Sequence, residues 1–380
     1  MRVIVAMDSF KGSLTSLEAG NAVLEGILKA CPTAEVEPYH LADGGEGTAE
    51  AIVNAQDGEW ETCEVHDPLG RPVQARYGVL PLQKLAIIES AQAIGLVLLA
   101  ENERNPMEAS SLGLGEMIAD AIEKGYRKFL IGIGGSATND GGVGMLRALG
   151  YEFLDKAGNP IPNGAAGLRS LAKIKTRGRN PAIPECRFSV ACDVNNPLCG
   201  KWGCSYVFAP QKGAKPEDIP FMDEWLGKYA AMSEHSLRRT FSETEGSGAA
   251  GGLGFAFGCY LKAKLCKGAA LVMQYTNFEE KIKNADFLVT GEGSFDYQSY
   301  MGKGPFEAAK LAKRHGKPVM ILAGSVSYTE FVGEHGIDGV FPIVPSPCSL
   351  EEAMEKETAC RNLRRTAEQL FRLIASVRGQ

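Results

Sequence analysis

Short apolar runs alternate along this chain with glycine-rich polar loops, and each loop leads into a segment whose apolar residues recur every three or four positions. The run at residues 3–6 enters Asp8-Ser9-Phe10-Lys11-Gly12-Ser13. The segment that follows carries Leu17, Gly20, Leu24, Ile27 and Leu28 on one helical face, and Thr15 with Glu18 has capping-box spacing. Residues 36–41 lead into Asp43-Gly44-Gly45-Glu46-Gly47-Thr48 and then a helix over 49–55. Residues 128–131 lead into a loop over 132–142 and a helix over 143–149, and residues 188–192 end at Asp193-Val194-Asn195-Asn196-Pro197. Residues 287–289 end at Thr290-Gly291-Glu292-Gly293-Ser294-Phe295-Asp296, before a helix over 305–314. Buried strands are predicted at 319–323 and 340–343, and one long helix over 349–377, capped by Ser349 and Glu352.

Strand alternating with helix in this way specifies an α/β protein with largely parallel sheets. Residues 63–89 read differently, as strands joined by the turn Asp67-Pro68-Leu69-Gly70, so some antiparallel sheet starts there. That change of texture suggests a second domain. A length of 380 residues favours two domains over one.

Composition narrows the classes. A net charge of -6 argues against a nucleic-acid partner or an anionic membrane surface. The N-terminal apolar run is too short for a signal peptide, and no stretch reaches the ~20 apolar residues of a bilayer span, so a cytoplasmic protein is expected. None of the ten cysteines forms a C-x-x-C pair, and the five histidines lack metal spacing, so reduced cysteines and no zinc site are expected.

In open α/β sheets, ligands bind beyond the carboxyl ends of the strands, and the unusual residues of this chain fall there. Glycines let backbone approach a phosphate closely, and helix N-termini offer unpaired N–H donors. Carboxylates in the same loops would repel a bare anion, so the pattern points to a magnesium nucleotide. Gly132, Gly134 and Ala137, with Asp155 further on, also approach a dinucleotide fingerprint, which leaves an NAD-dependent reductase of a small hydroxy acid as a rival. Neither a Walker A sequence nor a G-x-S-x-G elbow is present. Gly246 to Gly254 is read either as another phosphate-proximal turn or as a close-packed helix.

Five blocks, Asp8–Leu14, Ala42–Thr48, Gly134–Gly142, Asp193–Leu198 and the stretch from Thr290 to Ser299, resemble bacterial glycerate kinases of the glycerate 2-kinase type, in the family's order and across nearly the whole chain. The resemblance implies two α/β domains with the active site in the cleft between them. One would be Rossmann-like, with a largely parallel sheet from residues 1–62 and 285–380, and the other inserted at 63–284 with a mixed sheet. It implies Mg2+- and ATP-dependent phosphorylation of D-glycerate to 2-phosphoglycerate, with 3-phosphoglycerate as the alternative product, and leaves a homodimer open. Catalysis is expected from Asp193 and Lys11. Nucleotide contacts are expected from Ser9, Gly12, Ser13, Gly44, Gly45, Gly134, Gly135, Ser136, Asn139, Asp140, Gly291 and Gly293. Arg71, Asn195, Asp296 and Gln298 are expected to hold glycerate, and Asp43 and Glu292 the metal.

Overall fold

The structure, a computed structural model, describes residues 1–39, 41, 45, 47–297, 299–327, 333 and 337–379. In chain order its strands are β1 (Arg2–Met7), β2 (Glu35–Pro38), β3 (Glu59–His66), β4 (Pro72–Leu80), β5 (Leu85–Glu89), β6 (Lys128–Gly132), β7 (Glu152–Leu154), β8 (Lys173–Lys175), β9 (Arg187–Ala191), β10 (Lys264–Cys266), β11 (Phe287–Phe295), β12 (Val319–Val326) and β13 (Gly339–Pro342). The chain divides into two units, Met1–Asp43 with Ala269–Gln380, and Gly44–Gly268.

The terminal unit holds a five-stranded parallel sheet in the order β13-β12-β11-β1-β2. Counted within the unit, this is the doubly wound order 2-1-3-4-5. From Val3 to Met7, β1 is apolar because both of its faces are covered. Val3, Val5 and Met7 pack with Val23, Ile27 and Phe371, whereas Ile4 and Ala6 pack with Phe278, Phe306 and Ile321.

The helix Ser16–Ala30 has the expected capping box, with the Glu18 N–H on Thr15 Oγ1 at 3.2 Å and the Thr15 N–H on Glu18 Oε2 at 3.0 Å. Its buried face differs from the predicted one. Leu17 and Leu28 are exposed, and Ala19, Gly20, Ala22, Val23, Gly26 and Ile27 face inward. The helix lies against Lys356–Arg378 so closely that a Cβ on Gly26 would run into Arg364 O, so small residues win the interface. The single C-terminal helix of the sequence reading is two, Leu350–Met354 and Lys356–Arg378. Glu355 is extended between them, and its carboxylate accepts from the N–H groups of Glu357 and Thr358. A single residue that caps the next helix looks no different, in apolar periodicity, from one inside it.

The second unit is built on a six-stranded mixed sheet, β10-β9-β6-β5-β4-β3. β3 and β4 are antiparallel, as are β4 and β5, whereas β5, β6, β9 and β10 run parallel. The helix Thr48–Ala55 packs on β4 and β5, so residues 44–62 group with this unit, and the helix Phe278–Lys283 groups with the other. Both segments lie across the borders from where the sequence reading set them, because a change of strand texture becomes visible only once the antiparallel strands begin. Among the described residues no helix is long and apolar enough to cross a membrane, and the cysteines are free.

Candidate active site

In the terminal unit the strand order reverses between β1 and β11, and such a reversal opens a crevice beyond the carboxyl ends of the two strands. β11 extends further than its apolar run predicts. It pairs with β12 through Ser294 and Phe295, so Gly291-Glu292-Gly293 is strand and not loop. Glycine allows this, since a Cβ on Gly291 would run into Leu322 O. The Asp8 N–H donates to Gly291 O at 2.8 Å, and the Gly293 backbone lies against Phe10. Ser9, Lys11, Gly12 and Ser13 are thus gathered beside Gly291, Glu292 and Gly293.

The turn from Phe10 to Leu14 closes on itself, with the Ser13 and Leu14 N–H groups both on Phe10 O, and Gly12 takes φ +79. Lys11 is exposed and makes no ion pair or hydrogen bond with the described residues. Asp8 Oδ1 accepts from the Ser9 N–H at 2.6 Å. Glu292 is only 5% exposed; its Oε2 accepts from Lys303 Nζ at 2.7 Å, while Oε1 has no partner among the described residues. The buried Ser13 Oγ likewise lacks a partner among the described residues. Asp296 opens a turn in which its N–H donates to Ser299 Oγ at 3.1 Å. Asp43, Gly44 and Gln298 lie outside the described residues.

In the second unit the carboxyl ends of β3, β5, β6, β9 and β10 share one edge. After β6, Gly134 and Gly135 are exposed, and Gly135 takes φ +70. The rest of this loop turns inward. Ser136 Oγ accepts from Lys212 Nζ at 3.0 Å, and Thr138 O accepts from the same ammonium at 2.7 Å. Lys212 is 2% exposed, and burial brings its pKa down to about 8. Asn139 is fully buried, with Nδ2 donating to Ser205 Oγ at 3.0 Å.

Asp140 also belongs to the scaffold. Its Oδ2 accepts from the N–H and the Oγ–H of Ser111 and from the Gly144 N–H, and its Oδ1 from the Gly142 N–H, at 2.8–3.1 Å. Burial raises its pKa, and those donors hold it back. Of the loop residues expected to touch nucleotide, the structure leaves Gly134 and Gly135 facing outward, whereas Ser136, Asn139 and Asp140 shape the loop from inside. Gly45 lies close by, its Cα 3.6 Å from the position a Cβ on Gly134 would take.

The segment Gly246 to Gly254 braces this loop. The helix Ala249–Leu261 is buried and breaks at Ala250, Gly251 and Gly252, all left-handed. Gly251 O accepts from the Gly141 N–H at 3.0 Å, and a Cβ on Gly251 would collide with Thr138 O. The close-packed reading therefore holds, with a kink. The dinucleotide fingerprint does not find its fold. β7 leaves the β6 sheet to pair antiparallel with β8, and Asp155 turns back on the Asn159 N–H at 2.8 Å.

Asp193 follows β9 at the same edge, exposed, with Oδ1 accepting from the Gly268 N–H at 3.0 Å. Asn195 is nearby and receives Lys267 Nζ at 3.4 Å. Arg71 is engaged by two carboxylates, Asp67 at 2.5 Å and Glu103 at 2.7 Å. Sequence reasoning missed Lys212, Lys303 as the partner of Glu292, and Glu89. Glu89 closes the apolar run of β5, the same acid-after-strand signal that singled out Asp193. Lys212 gave no signal, because its burial arises only when its short turn is tucked under a distant loop.

Among the described residues no group of three or more His, Cys, Asp or Glu could cage a metal. Magnesium at a nucleotide is held by one or two carboxylates plus phosphate oxygens, and Glu292 on β11, with one oxygen unpaired among the described residues, fits that smaller donor set.

Comparison with known proteins extends this picture to the whole chain. Residues 3–375 match the model of the glycerate kinase family. A glycerate kinase of Halalkalibacterium halodurans is 44% identical over 367 residues, covering 95% of this chain and 97% of that protein. The glycerate 2-kinase of Escherichia coli K12 is 41% identical over 375 residues, covering 97% and 98%. The crystal structure of a glycerate kinase 2 from Salmonella typhimurium LT2 superposes with a TM-score of 0.84 at 41% identity, over 100% of both chains. The chain belongs to the glycerate kinase family.

Proposed function

We propose that this protein transfers a phosphoryl group from ATP to D-glycerate, at the 2-hydroxyl, with magnesium. The observation that carries the reading is the exposed Gly134-Gly135 backbone, stiffened from below by a buried ammonium and set one strand from Asp193 in a chain of this family. Backbone N–H groups there suit phosphate oxygens, and they need no reorganisation as charge develops. Asp193 would orient the acceptor hydroxyl and take its proton, as carboxylates do in phosphoryl transfer. Lys11, a cation without a partner among the described residues, would meet charge on the transferred group. Magnesium held by Glu292, with Asp43 or Asp296, would supply charge neutralisation between phosphate oxygens. The name of the Escherichia coli relative supports the 2-hydroxyl as acceptor.

The test is ADP release by the purified protein on D-glycerate with magnesium and ATP, beside NADH oxidation on hydroxypyruvate. Glycerate-dependent ADP release is the expected result. Turnover of NADH without ADP release would reinstate the reductase.

A further inference from the structure

The second unit carries a cavity of about 120 Å³ between the start of the helix Thr48–Ala55 and the strands it covers, lined by Ala49, Glu50, Trp60, Arg76, Glu89 and Gln92. Arg76 stands out among them. Its guanidinium carbon lies 4.4 Å from the centroid of the Trp60 ring, and it makes no hydrogen bond or ion pair with any described residue. Stacking of this kind presets the direction of the planar fork and leaves its N–H donors available for an oxyanion. Opposite it is Glu89, 7% exposed, whose Oε1 is fixed by the Ala49 N–H at 2.8 Å.

Size and charge together select the occupant. Room for about four waters is far short of the 300–1,000 Å³ of sites for larger ligands, so a nucleotide does not fit. A phosphate dianion would meet Arg76 favourably but also face the carboxylates of Glu50 and Glu89. A small monocarboxylate with adjacent hydroxyls suits both, pairing its anion with arginine and leaving neutral O–H groups to face the acids. Location agrees with this choice. Glu89 is in register with Gly132 on the neighbouring strand, so the pocket lies about 5 Å, one strand spacing, from the strand that ends in the Gly134-Gly135 loop.

We propose that this pocket is the acceptor site, in which Arg76 pairs with the carboxylate of a three-carbon hydroxy acid while Gln92 receives one of its hydroxyls, the other being the one offered to Asp193. The assignment rests on the kinase reading above and moves the carboxylate contact from Arg71, which is held by Asp67 and Glu103, to Arg76.

The test is steady-state kinetics of Arg76→Gln and Arg76→Lys, with tryptophan fluorescence of the unliganded protein titrated with D-glycerate. Loss of a charged hydrogen-bonding pair corresponds to a ten- to hundredfold change, roughly. Arg76→Gln should therefore raise KM for glycerate about tenfold or more, leave KM for ATP and the melting temperature unchanged, and be partly rescued by lysine. D-Glycerate should perturb wild-type fluorescence, and the perturbation should vanish in Trp60→Phe. If Arg76→Gln does not fold, Gln92→Ala read in the same way replaces it. An unchanged glycerate KM in an active enzyme overturns the site and spares the kinase reading. A wild-type protein without turnover defeats that reading, and the absence of a fluorescence response then defeats the pocket as well.

Discussion

Replacing Lys212 by methionine removes a buried ammonium that has no carboxylate partner among the described residues, and its surroundings set the consequence. Burial lowers the lysine pKa from 10.5 to about 8. The unfolded chain therefore binds the proton more tightly than the folded one, so this group opposes folding below pH 8 and its penalty fades as pH rises towards 10.5. A difference of roughly 2.5 units at 1.36 kcal/mol each gives a penalty of about 3 kcal/mol near neutral pH. Roughly 2 kcal/mol of it should be recovered by pH 9.5. Methionine escapes the penalty but leaves Thr138 O without its donor, a loss of about 1–3 kcal/mol. The variant should thus match or exceed wild-type stability at pH 7 and fall behind it at pH 9.5. Urea unfolding of both proteins at the two pH values isolates the lysine, since the tyrosines and cysteines that titrate there are common to both. A stability difference that stays flat within about 0.5 kcal/mol refutes the buried charge. Function should move the other way. With the glycine loop no longer anchored at Ser136 and Thr138, KM for ATP should rise even where the fold is as stable as before.

Asp193→Asn should keep its melting temperature while kcat falls by about 10²–10⁴; near-normal turnover would remove Asp193 from the chemistry. Asp140→Ala strands the buried donors of Ser111, Gly142 and Gly144, and should cost about 4 kcal/mol in urea unfolding. A loss below about 1 kcal/mol would contradict its scaffolding role. Glu292→Ala should raise the magnesium concentration for half-maximal activity about tenfold, and an unmoved magnesium titration would place the ion elsewhere.

Much of the fold could be read directly because its signals are local. An unbroken apolar run in β1 reflects a strand covered on both faces, and the boxes at Thr15–Glu18 and Ser349–Glu352 each need only four residues to declare a helix start. What escaped was set by neighbours distant in sequence. The buried face of Ser16–Ala30 depends on how near Lys356–Arg378 approaches, and the length of β11 depends on glycines that let β12 close in. The candidate site follows the same division. Glycine-rich loops at strand ends were visible, yet which members face outward was not, since Asn139 and Asp140 are drawn inward by Ser205 and Ser111. Arg71 is expected from the sequence to hold the glycerate carboxylate, but a sequence does not reveal that two acids already hold it.

The most direct test of the account is the phosphorus NMR spectrum of the product formed from D-glycerate, magnesium and ATP, recorded with proton coupling. Transfer to the 2-hydroxyl places the phosphorus beside one carbon-bound proton, so a doublet that grows with ADP is the predicted result. A triplet, from phosphorus beside a methylene group, would contradict the assigned hydroxyl, and a spectrum showing ATP alone would contradict the kinase itself.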